Sequence, residues 1–408
     1  KKRLNSLVNN IGRIKDLINL DNVIRKKLNF KKKITEYRHH YCHLTSAYYP
    51  SGFKNSLVVS YDGIGENESG MVGLATKGKI KILARGPEFP NSLGLFYSAI
   101  TFYLGWKHHC DEGIIMGLAP YGNPYSKHKG KSFIKYLREI IIKKKNYDYE
   151  INKDWISYHL KRDTWISNKF IKTFGKPRKP NSKISQIHKN IAAALQLRLE
   201  EIVLGRLKYF QKKYKVENLA IAGGVGLNCS LNGKIEKSKI FKNLFVQPAS
   251  GDSGTAIGAV YAAFEKNYYK KIKIQERHNS YLGSRFRSAE IRKYLKKNKI
   301  KFEEISNSSM KVEKYLADGK IIGFFQNSAE FGPRALGNRS ILCKPYPREM
   351  KDYLNLRVKF RENFRPFAPA VLEEDYSKYF DINQKSPHML IACNAKKEYE
   401  KKIPAVIH

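Results

Sequence analysis

Apolar positions along this chain recur with two different periods, and the changes of period mark out its elements. Leu57, Val58 and Val59 open an apolar run over 57–63 that reads as a buried strand, with Asp62 at its end and Gly63 beginning a turn. Residues 71–75 and 79–85 predict the next strands of a hairpin sheet, with Lys77 and Gly78 in the turn. Helical spacing takes over at 92–104. A lysine-rich stretch over about 125–185 has weak periodicity and reads as an insertion or helical cap. At its end Ser185 opens a long helix that runs to about Tyr214.

Apolar strands return at 216–222 and 245–248, each running into a loop that contains glycine, and 255–264 predicts a helix. Residues 266–280 are polar and basic, as expected of a linker. Beyond them the pattern predicts helices at 288–297 and 309–318 and a strand at 321–325. Residues 1–33 read as a polar, basic helical lead-in without chemistry. Alternating strands and helices predict an α/β protein, divided into residues 1–265 and 281–408 around the linker.

Composition narrows the function classes. The 408 residues are 42% hydrophobic and 12% aromatic, enough for real cores, and no apolar run reaches the ~18 residues of a membrane helix. Cys42, Cys110, Cys229, Cys343 and Cys393 are scattered without a CxxC pair, which fits a reducing cytoplasm and no cysteine zinc site. The formal charge of +41 would suit nucleic-acid binding. However, the lysines spread over the whole chain alongside abundant Asn, Ile and Tyr, a compositional drift, and runs such as 31–33 and 143–145 lack interleaved aromatics. The expectation is therefore anionic small substrates, with no membrane and no nucleic acid as partner.

His39 and His43 stand four apart, which on a helix puts both rings on one face and suits a shared metal ion. The pair alone is also an ordinary surface arrangement. Asp62 at a strand end and Asp252 in a loop before a helix supply carboxylates that would complete the set and leave coordination positions open. His40 reads as a supporting or solvent-facing residue. Three glycine loops follow strands: Gly63 with Gly65; Gly223, Gly224 and Gly226 with Asn228 and Asn232 beyond; and Gly251 with Gly254. Each alone can be a structural turn, but together they are better explained by nucleotide binding. Asp111 and Glu112 beside the glycines at 113 and 117 could orient or deprotonate a hydroxyl, or lie on a solvated turn. His108 and His109 nearby read equally as bystanders.

The densest chemistry lies at 330–340. Arg334 and Arg339 sit five apart in a frame of Gly332, Pro333, Gly337 and Asn338. Two planar donor forks held by a shaped turn read as a clamp for a phosphate or carboxylate. Lys359, Arg361 and Arg365 form a second basic cluster.

Taken together these stretches resemble the carbamoyltransferase family that includes nodulation-factor, cephamycin and aminoglycoside O-carbamoyltransferases. The matching text is 39–47, 61–65, 92–105, 116–122, 223–234, 248–259 and 326–369, in the family's order. The resemblance implies an actin-like ATPase fold, similar to the tRNA threonylcarbamoyl-transferase subunit, joined to a YrdC-like C-terminal domain. It implies that carbamoyl phosphate and ATP form carbamoyl-adenylate in the C-terminal domain, and that the carbamoyl group passes to a hydroxyl acceptor at a metal site in the N-terminal one. By position, His39, His43, Asp62 and Asp252 would bind the metal, Fe2+ or another divalent ion, with Mg2+ accompanying ATP. Gly63, Gly223, Gly224, Asn228, Asn232 and Gly251 would serve the nucleotide, the asparagines with Gly223 and Gly224 lining the adenosine pocket. Arg334, Arg339, Arg361 and Arg365 would hold carbamoyl phosphate and nucleotide phosphates, with Asp62, Arg334 and Arg339 as catalytic residues.

The acceptor implied is a sugar, antibiotic or other secondary metabolite, and a homodimer is compatible with the reading. Two departures accompany the resemblance. The family's initial strand with a His-Asp pair and its text beyond 403–408 are missing, so both ends look truncated and the C-terminal domain incomplete. Ile114 stands where a basic residue is common. The alternative is a tRNA-modifying or RNA-binding protein built on the same N-terminal fold, against which the 331–340 motif argues.

Overall fold

The computed structural model describes residues 19–161, 164–268, 274 and 279–408. Its centre is a five-stranded sheet in the order β3-β2-β1-β4-β5. The strands β1 (Asn55–Gly65), β2 (Glu68–Thr76) and β3 (Lys79–Arg85) form an antiparallel meander. The strands β4 (Asn218–Ala222) and β5 (Asn243–Val246) lie parallel to β1 on its other side. Lys77 and Gly78 both adopt positive φ, 49° and 82°, so the β2–β3 turn has the twist that suits a tight hairpin.

The continuous apolar run of β1 is explained by cover on both faces. Leu57, Val59 and Tyr61 point into the larger core, whereas Val58 points into a smaller one. The larger core is built with α3 (Leu93–Tyr103) and α7 (Gln186–Tyr214), the latter opened by a capping box between Ser185 and His188. The smaller core is closed by α2 (His39–Tyr48), which buries Leu44, Ala47 and Tyr48. Helix α9 (Thr255–Tyr268) crosses behind α2, where Thr45 Oγ1 donates to the Gly258 carbonyl at 2.7 Å.

The lysine-rich stretch expected as an insertion or helical cap is folded into the larger core. Its helix α5 (Phe133–Ile140) buries Phe133, Ile134, Tyr136, Leu137 and Ile140, and α6 (Asn168–Phe174) adds Phe170 and Phe174. The lysines occupy the outer face of this layer, which masks its pattern when the sequence is averaged. The lead-in contains α1 (Leu20–Leu28), which buries nothing, and residues 1–18 lie outside the described residues. Helix α4 (Glu112–Leu118) buries Ile114, so this position is a core residue.

Of the expected linker at 266–280, residues 266–268 form the end of α9, and 269–273 and 275–278 lie outside the described residues. Beyond it come α10 (Ser288–Lys297), α11 (Ser308–Ala317) and the antiparallel pair β6 (Ile322–Phe325) and β7 (Arg339–Leu342), close to the predicted positions. The chain then returns to the N-terminal half. Gln384 accepts from the Leu244 amide at 3.0 Å and donates to its carbonyl at 2.7 Å, satisfying the open edge of β5. Leu390 enters the larger core, and Ala392 N–H donates to the Cys229 carbonyl at 3.0 Å at the start of α8 (Cys229–Lys237). The observed class is mixed α/β, as the sequence predicts. Among the described residues no helix is long and apolar enough to cross a membrane.

Candidate metal centre and anion loop

His39 and His43 lie on the first turns of α2 with both Nε2 atoms aimed at the end of β1. The helix begins where its first N–H finds an acid, His39 N donating to Glu66 Oε1 at 2.9 Å. The ring of His39 lies so close to β1 that a Cβ on Gly65 would stand 2.3 Å from its Cδ2. Asp62 sits where the β1–β2 register shifts between Tyr61 and Gly65, which frees its side chain from the regular ladder. Its Oδ2 is 2.9 Å from His39 Nε2 and 3.0 Å from His43 Nε2, and the two nitrogens are 3.1 Å apart. Asp252 arrives from the loop before α9, its Oδ1 3.6 and 3.7 Å from the same nitrogens.

Four ligand atoms, one from each residue, thus lie within 4.8 Å of one another. With metal bonds of about 2.1 Å, neighbouring ligands are about 3.0 Å apart at right angles and about 3.4 Å apart in a tetrahedron. The separations among His39, His43 and Asp62, 2.9–3.1 Å, match the right-angle value, whereas Asp252 stands slightly farther out at 3.6 and 3.7 Å. Two imidazoles with two carboxylates suit a divalent transition ion. Exposure is graded across the set: the His43 side chain is wholly buried, whereas that of Asp252 is 77% exposed, so the cluster opens to solvent on the Asp252 side.

The surroundings set the charges. Burial pushes the Asp62 carboxyl up, but His39 and His43 outweigh it and hold it well below the usual carboxylate range. His40 is fully buried behind the pair, so of the two roles expected for it the supporting one is observed. Its Nε2–H donates to the Glu68 carbonyl at 2.7 Å, which leaves Nδ1 to accept from Ser60 Oγ at 3.2 Å. Burial lowers its pKa and keeps the ring neutral. His43 Nδ1 is buried without a hydrogen-bond partner among the described residues.

The glycine loops are put to uses that spacing alone did not reveal. Gly224 N–H donates to Asp62 Oδ1 at 3.0 Å, and Gly223 N–H to the Ser250 carbonyl at 2.8 Å. Gly63 lies beside Leu95, and Gly251 caps the short turn that carries Asp252. Of the asparagines expected in an adenosine pocket, Asn228 has its side chain committed to the fold, whereas Asn232 commits its amide nitrogen and keeps a buried Oδ1 without a hydrogen-bond partner among the described residues. Asn228 caps α8 by accepting from Leu231 N at 2.9 Å and pairs with Gln196. Asn232, fully buried, donates to the carbonyls of Gly226 and Leu390, both at 2.8 Å.

The arginine clamp likewise resolves into unequal partners. Arg334 carries a buried Nε with no hydrogen-bond partner among the described residues and lies near the Cys229 thiol at the start of α8. Arg339 is the correction. Its terminal nitrogens donate to the carbonyls of Gln326, Asn338, Ser284 and Asn327, and its guanidinium stacks 3.6 Å from the Phe325 ring centroid. It therefore builds the loop and offers no second free fork. Arg361 is partly spent on Asn355 Oδ1 at 2.6 Å and on the Phe367 ring, while Arg365 stands 3.9 Å from Glu362.

Sequence reasoning passed over Glu330, the residue that shapes the motif. Its Oε1 accepts from the amides of Leu336 at 2.8 Å, Asn338 at 2.8 Å and Arg339 at 3.0 Å. An acid opening a Gly-Pro-rich turn was the available signal. Asp111 and Glu112 are also tied down: Asp111 accepts from the Lys107 amide, and Glu112 from the His109 amide and Ser98 Oγ. They brace a turn instead of presenting a free base.

Comparison with known proteins completes the description. The carbamoyltransferase N-terminus family matches residues 5–261 and the carbamoyltransferase C-terminus family residues 313–408. An uncharacterized protein of Synechocystis is 39% identical, covering 88% of this chain and 58% of that protein. The nodulation protein NolNO of Sinorhizobium fredii is 37% identical, covering 92% of this chain and 53% of its own length. An uncharacterized protein of Methanocaldococcus jannaschii is 33% identical over 100% of this chain and 66% of its own. The chain thus spans somewhat more than half the length of the first two of these relatives. A crystal structure of T. kodakarensis HypF aligns with 64% of this chain and 40% of its own at TM-score 0.30 and 13% identity, too weak a likeness to bear on the fold.

Proposed function

This chain belongs to the carbamoyltransferase family, and from that premise we propose that it serves ATP-dependent O-carbamoyl transfer. In this reading water cleaves carbamoyl phosphate to carbamate and phosphate, carbamate displaces pyrophosphate from ATP to give carbamoyl-adenylate, and a hydroxyl of a sugar, antibiotic or other secondary metabolite takes the carbamoyl group as AMP leaves. An adenylate is a mixed anhydride, so its carbonyl is open to attack by an alcohol. The observation that carries the proposal is the convergence of His39, His43, Asp62 and Asp252 from α2, β1 and a distant loop. These four would hold Fe2+ or another divalent ion, which when bound supplies Lewis acidity toward a carbonyl or phosphoryl oxygen.

The finer assignments follow from the same reading. A sheet with an antiparallel meander on one side of β1 and parallel strands on the other supports an actin-like ATPase unit, with glycine loops after β1 and β4 for the nucleotide and its Mg2+. The residues from 281 onward would be the YrdC-like unit. There Arg334, whose buried Nε has no hydrogen-bond partner among the described residues, would meet a phosphate, while Glu330 and Arg339 hold the loop that presents it.

The test is AMP release from ATP in the presence of carbamoyl phosphate, Mg2+ and Fe2+, with hydroxyl acceptors or water. AMP formation that depends on carbamoyl phosphate is expected. Absence of any such AMP from protein that retains the four-residue cluster would refute the proposal.

A further inference from the structure

We infer that the glycine loop after β4 is the support of the carboxylate half of the metal cluster, with the Gly224 amide as the positioning donor to Asp62. The inference rests on the metal reading of His39, His43, Asp62 and Asp252 given above.

A carboxylate on a short side chain can rotate, and a ligand that rotates binds weakly. Asp62 is held at two points. Ser92 Oγ–H donates to its main-chain carbonyl at 3.0 Å, and Gly224 N–H donates to Oδ1 at 3.0 Å. With Oδ1 pinned, the remaining oxygen Oδ2 faces both imidazoles at 2.9 and 3.0 Å. Outer partners of this kind orient metal ligands and raise their affinity.

The same loop also reaches the second carboxylate. Gly223 N–H donates to the Ser250 carbonyl at 2.8 Å, and Ser250 Oγ–H returns to the Gly223 carbonyl at 2.9 Å. Ser250 lies two residues before Asp252, so this reciprocal pair fixes the start of the Asp252 loop against the end of β4. Gly223 has φ +90°, and a Cβ there would stand 2.2 Å from the Tyr61 carbonyl oxygen, so the loop packs directly under the strand end that carries Asp62. One consequence bears on nucleotide binding. The Gly224 amide is already donated to Asp62, so phosphate bound near this loop draws on other donors.

Two substitutions separate the amide from its surroundings. Gly224 is the first residue of a short 3-10 turn, a position where proline fits, and the ψ of 156° at Gly223 suits a residue before proline. Ala and Pro both add a Cβ, placed 2.9 Å from Asp62 Oδ1, but only Pro removes the N–H. The difference between Gly224→Ala and Gly224→Pro therefore reports on the amide contact as a whole, because the proline Cδ takes the place of the N–H that faces Oδ1. In titrations with Co2+ followed by visible absorption, Gly224→Pro is expected to bind about 10–100-fold more weakly than Gly224→Ala.

Hydrogen–deuterium exchange gives a second measurement that does not need the proline variant to fold. The Gly224 amide is expected to be protected in the wild type and to exchange at least about tenfold faster in Asp62→Ala, as for an amide that has lost its acceptor. The Gly226 amide, which donates to the Gly223 carbonyl at 2.8 Å, stays protected as the internal control. Equal Co2+ affinity in folded Ala and Pro variants, or unchanged Gly224 exchange in Asp62→Ala, overturns the positioning role. A wild-type protein that takes up no Co2+ refutes the metal reading itself.

Discussion

Gly65→Ala is the sharpest perturbation of the candidate metal centre, because it touches none of the ligands chemically. The added Cβ would stand 2.3 Å from His39 Cδ2, 2.6 Å from Cγ and 2.8 Å from Cβ. Ordinary contact begins near 3.4 Å, so the ring or the strand must give by roughly 1 Å. If the ring moves, His39 Nε2 leaves its place 2.9 Å from Asp62 and the ligand set is broken. Metal affinity should then fall by at least the ~10–100-fold typical of disturbed ligand support. If the strand moves instead, overpacking should cost about 1–3 kcal/mol of stability. Co2+ titration and thermal unfolding, measured on Gly65→Ala, His39→Ala and the double variant, separate the two. Because Ala at 39 removes the ring that causes the clash, the double variant should unfold no earlier than His39→Ala alone, and the cycle should show strong coupling. Wild-type Co2+ affinity together with wild-type stability in Gly65→Ala would refute the close approach of His39 to β1, and with it the packing argument for the site.

Three further outcomes are expected. Arg334→Ala should abolish carbamoyl-adenylate formation, read as carbamoyl-phosphate-dependent release of pyrophosphate from ATP, whereas His39→Ala should spare that step and block the acceptor-dependent release of AMP; equal loss of both half-reactions in His39→Ala would end the division of labour between the two regions. Arg339→Ala should destabilise residues 281–353 by about 1–2 kcal/mol, through lost hydrogen bonds to carbonyls, with a matching drop in the unfolding midpoint of that region. Glu330 makes the 330–340 loop acid-sensitive: burial raises its pKa, but the amides of Leu336, Arg339 and Asn338 outweigh this and lower it. Its contribution is therefore complete above the ordinary glutamate value of about 4.3 and is lost as pH falls through the lower folded value. The protection factors of the 336, 338 and 339 amides, taken against the intrinsic exchange rate at each pH, should fall on acidification through that window, and Glu330→Gln should remove this pH dependence.

Much of this protein was determined by the sequence alone, because secondary structure and helix faces depend on residues close together in the chain. The meander of β1, β2 and β3, the Ser185 start of α7 and the strand leading into the glycine loop all appear near their predicted positions. The common direction of His39 and His43 follows from their spacing on α2 in the same way. Tertiary structure alone decided which polar groups remain available for chemistry. Arg334 and Arg339 are indistinguishable as text, yet loop closure surrounds the Arg339 guanidinium with carbonyls and leaves the buried Nε of Arg334 unpaired among the described residues. Asn228 was spent on Gln196 and the Asn232 amide nitrogen on the carbonyls of Gly226 and Leu390, partners up to 158 residues away. The lysine-rich segment became core because one face of α5 meets α7, a contact its own periodicity does not specify. A hydrogen-bonding group is free or committed according to what the fold brings within about 3 Å of it, and that distance is set by chain segments remote in sequence.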